Sequence, residues 1–237
     1  RSSVEKVISS AAARLPECVF LPTESENGAM SYRDFARKMP AFSKSRAVLA
    51  GCGMTDCTDT GNIIAELIKY GGYQLIIDAD GLNSIKNRPE LLKSAALPPV
   101  ITPHIGEMAR LTGASTDAIK SDREKTAAEF SRKYNCITVL KDCKTVISSP
   151  EGKLFVCDRP NAGLAKGGSG DVLSGIISSF AAQGYDAFDA AVCGAALHSL
   201  AAESAREKLT EYSMLPSDIV AEIPGVFARI GKTRNYR

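Results

Sequence analysis

The chain has 237 residues, of which 44% are hydrophobic and 24% charged, and its formal net charge is +2. That composition is typical of an ordinary soluble globular chain, and the length suffices for one sizeable core. Lysines such as Lys38, Lys44, Lys93 and Lys120 are scattered, which excludes the concentrated basic stripe of a nucleic-acid-binding surface. No apolar run approaches the roughly 18 residues expected of a membrane span. The seven cysteines, at positions 18, 52, 57, 136, 143, 157 and 193, form no CxxC pair, and His104 and His198 are the only histidines. A zinc cluster therefore lacks ligands at the usual spacing. The odd cysteine count and the absence of a signal segment predict reduced thiols and a cytoplasmic location.

Residues 4–15 are Ala-rich, with Val4, Val7, Ile8 and Ala11 on one helical face. Residues 47–50 form a short apolar run that ends at Gly51, Cys52 and Gly53, so they read as a buried strand and its exit turn. A helix follows over 61–70, with Ile63, Ile64, Leu67 and Ile68 at helical spacing. Further buried strands are predicted at 73–77, 100–102 and 137–140, and a charged amphipathic helix at 121–134. This alternation predicts a mostly parallel sheet with helices on both faces. The rhythm then changes. Residues 144–148 and 153–157 flank the turn cluster Ser149, Pro150, Glu151 and Gly152, which predicts an antiparallel hairpin. Helices are expected over 171–183 and 188–207. Ser217 is placed as the N-cap of a last short helix, which Pro224 should end or kink before Ile230. No internal repeat, low-complexity tract or linker interrupts residues 1–237, so a single domain is expected.

The segment from Asn161 to Asp171, NAGLAKGGSGD, carries the most information. Glycines immediately before an apolar helix let the backbone turn and let a ligand approach the main chain. The helix start adds unpaired N–H groups and a partial positive charge, a combination suited to a phosphoryl group. Asp171 stands where such a group would meet an acceptor alcohol, and it equally favours the helix dipole with no other role. The GKT string at Gly231, Lys232 and Thr233 has Val226 where a P-loop needs its first glycine, and no GxGxxG opens the first βα unit.

Residues 165–177, AKGGSGDVLSGII, resemble the signature of the ribokinase-like superfamily, whose GxGD motif carries an anion hole and a catalytic Asp. The longer string from Asn161 is similar to the NAD(P)H-hydrate dehydratase branch. Three further strings resemble that branch in chain order: DADGLN at 78–83, ITPHIGEM at 101–108 and VLKDCKT at 139–145. The departures are Asp142 for the branch's usual Gly, Ile105 for the second Pro of TPHPGE, and Cys52 for the Pro of GPGL.

The resemblance implies a ribokinase-like α/β fold, with the family's N-terminal strand and Gly-rich segment not found in residues 1–50. It implies ADP- or ATP-dependent dehydration of the hydrated cofactors NADHX and NADPHX to NADH and NADPH, with ADP favoured by the AKGGSGD wording. Asp171 would be catalytic, with Gly168 and Ser169 in the anion hole. Gly53, His104 and Asp171 would contact the hydrate; Lys141, Asp142, Cys143, Lys144, Thr145 and Gly170 would bind the nucleotide, and Asn161 would join the cofactor site. Mg²⁺ would screen the phosphates. Asp78 and Asp80 are acidic residues in the right region, but the resemblance assigns the metal to neither. His104 and Glu107 also have simpler readings, as a satisfied polar group and a carboxylate favoured by a helix start. Small-molecule nucleotides are the expected partners, and the family's habit implies a homo-oligomer, a tetramer. The alternatives are a vitamin-precursor kinase, for hydroxymethylpyrimidine or hydroxyethylthiazole, and a non-catalytic nucleotide-binding homologue.

Overall fold

The computed structural model describes residues 2–26 and 28–234. A first helix, α1 (Ser2–Ala12), is followed by a two-residue ribbon, β1 (Ser25–Glu26) with β2 (Ala29–Met30), and by α2 (Tyr32–Lys38). The main sheet then begins with β3 (Ala47–Ala50), α3 (Thr58–Tyr70), β4 (Gln74–Ile77), α4 (Asp80–Ser84) and β5 (Val100–Ile101). Three helices, α5 (Ile105–Thr112), α6 (Thr116–Ser121) and α7 (Arg123–Tyr134), lead to β6 (Ile137–Leu140). The chain finishes with β7 (Thr145–Ser148), β8 (Leu154–Cys157), α8 (Ser169–Ala182), α9 (Ala187–Ser213) and α10 (Pro216–Arg234).

The six-stranded sheet has the order β3-β4-β5-β6-β7-β8. Its first three pairings are parallel and its last two antiparallel, so the sheet is mostly parallel with a hairpin at its C-terminal side. Strand order follows chain order because every parallel crossover lies on one face, and crossovers of a single hand must then step in one direction. Alternating strand residues feed two cores. Val48, Leu75, Ile77, Ile101 and Leu140 pack with α3, α5 and α7. Ile76, Val100, Ile137, Val139 and Ile147 pack with α8 and α9. Both sets are apolar because both faces are covered, which is why these strands read as continuous hydrophobic runs.

Two expectations are corrected. Pro224 does not end α10, which runs through it to Arg234. The ring frees the carbonyl of Val220, and both residues lie on the exposed side, where water can take that carbonyl's place. Ser217 is inside the helix rather than its cap. Pro216 takes the first helical position, which suits its fixed φ, and Asp218 Oδ2 accepts from Leu215 N at 2.7 Å. The regular part of α9 ends at a kink at Thr210 (φ +64°), close to the expected end at 207, and a further helical turn runs on to Ser213.

Candidate active site

The carboxyl ends of the parallel strands meet at one edge of the sheet, where open α/β folds hold their ligands. Asp78 follows β4 and is 1% exposed. Its Oδ1 accepts from Ala79 N and from Lys141 Nζ, each at 2.8 Å, so the end of β6 supplies the counterion for the end of β4. The turn after β3 crosses against this point. A Cβ on Gly51, at φ +120°, would come within 1.8 Å of the Asp78 carbonyl oxygen, so only glycine fits there.

Gly168, at φ +94°, caps α8 and turns the loop into the helix. Ser169 N donates to Lys166 O at 3.2 Å. Among the described residues no acceptor is bonded to Gly170 N or Asp171 N, so the helix start presents two free donors and its partial positive charge. Asp171, third in the helix, has a carboxylate oxygen within 4.8 Å of an Asp78 oxygen and of Cys52 Sγ. The Cys52 thiol lies 3.7 Å from Ser174 Oγ. Burial pushes its pKa up to about 12, and the charges of Asp78 and Asp171 add to the effect. It is a protonated thiol and no nucleophile. Asp80 lies outside this cluster and accepts from Thr55 N at 2.8 Å.

Beside the α8 start opens a cavity of about 550 Å³. Lys141, Asp142, Cys143 and Thr145 line it from the β6–β7 turn, Asn161, Ser169 and Gly170 from the glycine loop, and His198 and Ser199 from α9. His104 reaches its rim, yet its Nδ1 accepts from Gly106 N (2.9 Å) and Glu107 N (3.3 Å) while Glu107 Oε2 accepts from His104 N (2.8 Å). That is a reciprocal capping box at the start of α5. Of the other expected residues, Lys144 is outside the lining and pairs with Asp158 at 2.6 Å. Asp142 accepts from Arg123 Nε (2.7 Å) and Nη2 (2.5 Å), which pins the turn to α7. Asn161 Oδ1 accepts from Gly163 N and its Nδ2 donates to Ala202 O, so it ties the loop to α9. Gly53, at φ +65°, is exposed in the turn after β3, one residue from Cys52 and outside the cavity lining.

Arg123, Lys166 and His198 were not singled out by the sequence reading. Arg123 opens a charged helix like any surface arginine, and its partner lies 19 residues away. His198 sits in an alanine-rich helix with no local motif. Its side chain is buried, and its Nε2, with Ser169 Oγ and Thr102 Oγ1, is one of the buried polar atoms without a partner among the described residues.

Comparison with known proteins gives the chain's family. The family model for NAD(P)H-hydrate dehydratase matches residues 5–225. The chain is 32% identical over 207 residues to a bifunctional NAD(P)H-hydrate repair enzyme Nnr of Moorella thermoacetica, covering 87% of this chain and 39% of that protein. It is 30% identical over 219 residues to an ADP-dependent (S)-NAD(P)H-hydrate dehydratase of Xanthomonas campestris, covering 92% of this chain and 74% of that protein. It thus spans about two fifths of the bifunctional relatives, 39% and 40% in two of them. The fold is shared with the ADP/ATP-dependent NAD(P)H-hydrate dehydratase of Bacillus subtilis, co-crystallised with ATP/Mg²⁺, at a TM-score of 0.77 and 24% identity over 95% of this chain and 76% of that one. A match over nearly its whole length, together with that fold, shows that the chain belongs to the NAD(P)H-hydrate dehydratase family.

Proposed function

We propose that this chain uses ADP or ATP, with ADP preferred, to dehydrate hydrated NADH and NADPH back to the reduced cofactors. The observation that carries the reading is the pair of free amides, Gly170 N and Asp171 N, at a helix start where Gly170 lines the cavity and the neighbouring Asp171 carboxylate, itself outside the lining, lies within 4.8 Å of an Asp78 oxygen. The cavity's volume suits a nucleotide, whose end phosphate would meet those amides. The ADP preference is supported by the name of the Xanthomonas relative.

In this mechanism the C6 hydroxyl of the hydrated nicotinamide ring sits against Asp171, which orients it and takes its proton. The hydroxyl oxygen bonds to the terminal phosphorus as the bond to the nucleotide's bridging oxygen breaks. The amides of Gly170 and Asp171 stabilise charge on the transferring group. Lys141 faces the same point and, held by Asp78, adds a positive charge there. The ring nitrogen's lone pair then expels phosphate, and loss of a C5 proton restores the dihydropyridine. A carboxylate held at a helix start is a weak base, which suffices because the loose transition state asks for little early proton removal. The Asp78 and Asp171 oxygens suit a hard cation, and Mg²⁺ bound with the nucleotide would supply charge screening.

All seven cysteines are free, which supports a reducing compartment such as the cytoplasm. The exposed Val220, Phe227 and Ile230 of α10 support a homo-oligomer. Among the described residues no helix is long and apolar enough to cross a membrane.

The test supplies purified protein with NADHX and either ADP or ATP and follows the return of reduced-nicotinamide absorbance. Recovery should require a nucleotide, and Asp171→Asn should lower turnover by at least about a hundredfold, the scale of a positioned base. No recovery with either nucleotide, or an Asp171→Asn variant as fast as the parent, refutes the reading.

A further inference from the structure

We propose that Lys166 is a positioning residue for phosphoryl transfer, a charged clamp that holds the free-amide pair of α8 in place by gripping the end of α9. This rests on the function proposed above and deepens it. A lysine inside a glycine-rich loop before a helix is, on charge alone, a natural phosphate ligand. Here its ammonium is used up elsewhere. Lys166 Nζ donates to Met214 O (2.7 Å), Tyr212 O (3.0 Å) and Glu211 O (3.2 Å). Three donors meet three acceptors, the full capacity of the group. Glu211 and Tyr212 lie in the last turn of α9, beyond Thr210, and Met214 caps it; a helix end leaves carbonyls without amide partners, and its dipole favours a cation.

The corner gripped in this way needs holding. Thr210 is β-branched and sits at φ +64°, a strained backbone that persists only where its surroundings over-determine it. The same corner touches the glycine loop at two other points. Met214 packs so closely on Gly163 that a Cβ there would lie 2.3 Å from its Sδ, and a Cβ on Gly168 would lie 3.3 Å from Pro216 Cγ. Gly168 is the residue that caps α8, two positions before Gly170. A shift of the corner therefore bears directly on the backbone that aims the Gly170 and Asp171 amides. Lys166 supplies the charge-assisted tie in this contact, and the Met214 and Pro216 contacts are apolar and slide more easily.

Lys166→Met keeps the apolar stem and removes the ammonium; Lys166→Arg keeps the charge. With NADHX, the Met variant should lose about tenfold to a hundredfold in kcat by the same factor with ADP and ATP, the scale of small misplacements at a reacting centre. Its nucleotide KM should change much less. Amide hydrogen exchange should speed up at residues 168–172 and 214–218 together, and Arg should restore most of both readouts. A Met variant with parental kcat and exchange overturns the proposal. So does a loss confined to KM and unequal for ADP and ATP, which would make Lys166 a phosphate ligand. If the Met variant does not fold, Lys166→Gln takes its place under the same criteria. An inactive parent refutes the proposed function instead, and the exchange comparison still decides whether the clamp exists.

Discussion

His198 gives the chain a built-in sensitivity to acid. It lies on α9 with 6% of its surface exposed, and its Nε2 has no partner among the described residues. Burial pushes its pKa down from the ordinary 6.5 to about 4; the Ser169 backbone offsets part of that, and the positive charge of Lys141 adds to it. In the unfolded chain the ring titrates near its ordinary value. Between about pH 6.5 and pH 4 the unfolded state therefore binds a proton that the folded state does not, and stability falls as the pH falls through that window. Above it the imidazole is neutral in both states and costs nothing; below it the full penalty applies. A displacement of about 2.5 pH units corresponds to about 3 kcal/mol, a large share of a typical domain's stability. The measurement is a series of urea unfolding curves from about pH 7 to pH 4 on the parent and on His198→Gln. Carboxylate titrations are common to both proteins and cancel in the difference. The parent should lose about 3 kcal/mol more than the variant across the series. Parallel pH profiles would show that His198 titrates alike in both states and would refute the argument.

The Lys141–Asp78 pair should behave as a buried ion pair. Lys141→Met leaves the Asp78 carboxylate buried with Ala79 N as its remaining donor and should cost about 3–5 kcal/mol by denaturant unfolding, while adding Asp78→Asn should recover a good part. Strictly additive losses would contradict the pairing. The glycines after β3 should differ sharply. Gly51→Ala drives a methyl group into the Asp78 carbonyl and should destabilise the fold severely, by more than about 4 kcal/mol in denaturant unfolding if the chain folds. Gly53→Ala meets open space at φ +65° and should cost only about 1–2 kcal/mol, so similar losses at the two positions would be wrong for this backbone.

The main strands were legible because each is a short apolar run closed by a turn residue, and α3 and α7 because their periodicity is strong. The glycine loop and α8 were legible because glycine spacing and a following apolar helix are both local patterns. The last helix was less so. Pro224 signals a break wherever the freed carbonyl is buried, and only the position of Val220 at the surface removes that cost. At the site, the motif around His104 suggests a ligand contact, and the structure adds a role that the motif did not carry: its Nδ1 caps α5 while the residue lines the cavity.

Local backbone physics and the order of the motifs were enough to place a glycine-capped helix start at residues 168–171 and an acidic strand end at Asp78. Which groups face one another was decided only in three dimensions. Lys141 reaches Asp78 across 63 positions, Cys52 comes to Ser174 across 122, and Lys166 turns to the end of α9 instead of a phosphate. Strand register and helix packing set those distances, and they arise from burying both faces of the sheet at once, a constraint that no stretch of neighbouring residues carries by itself.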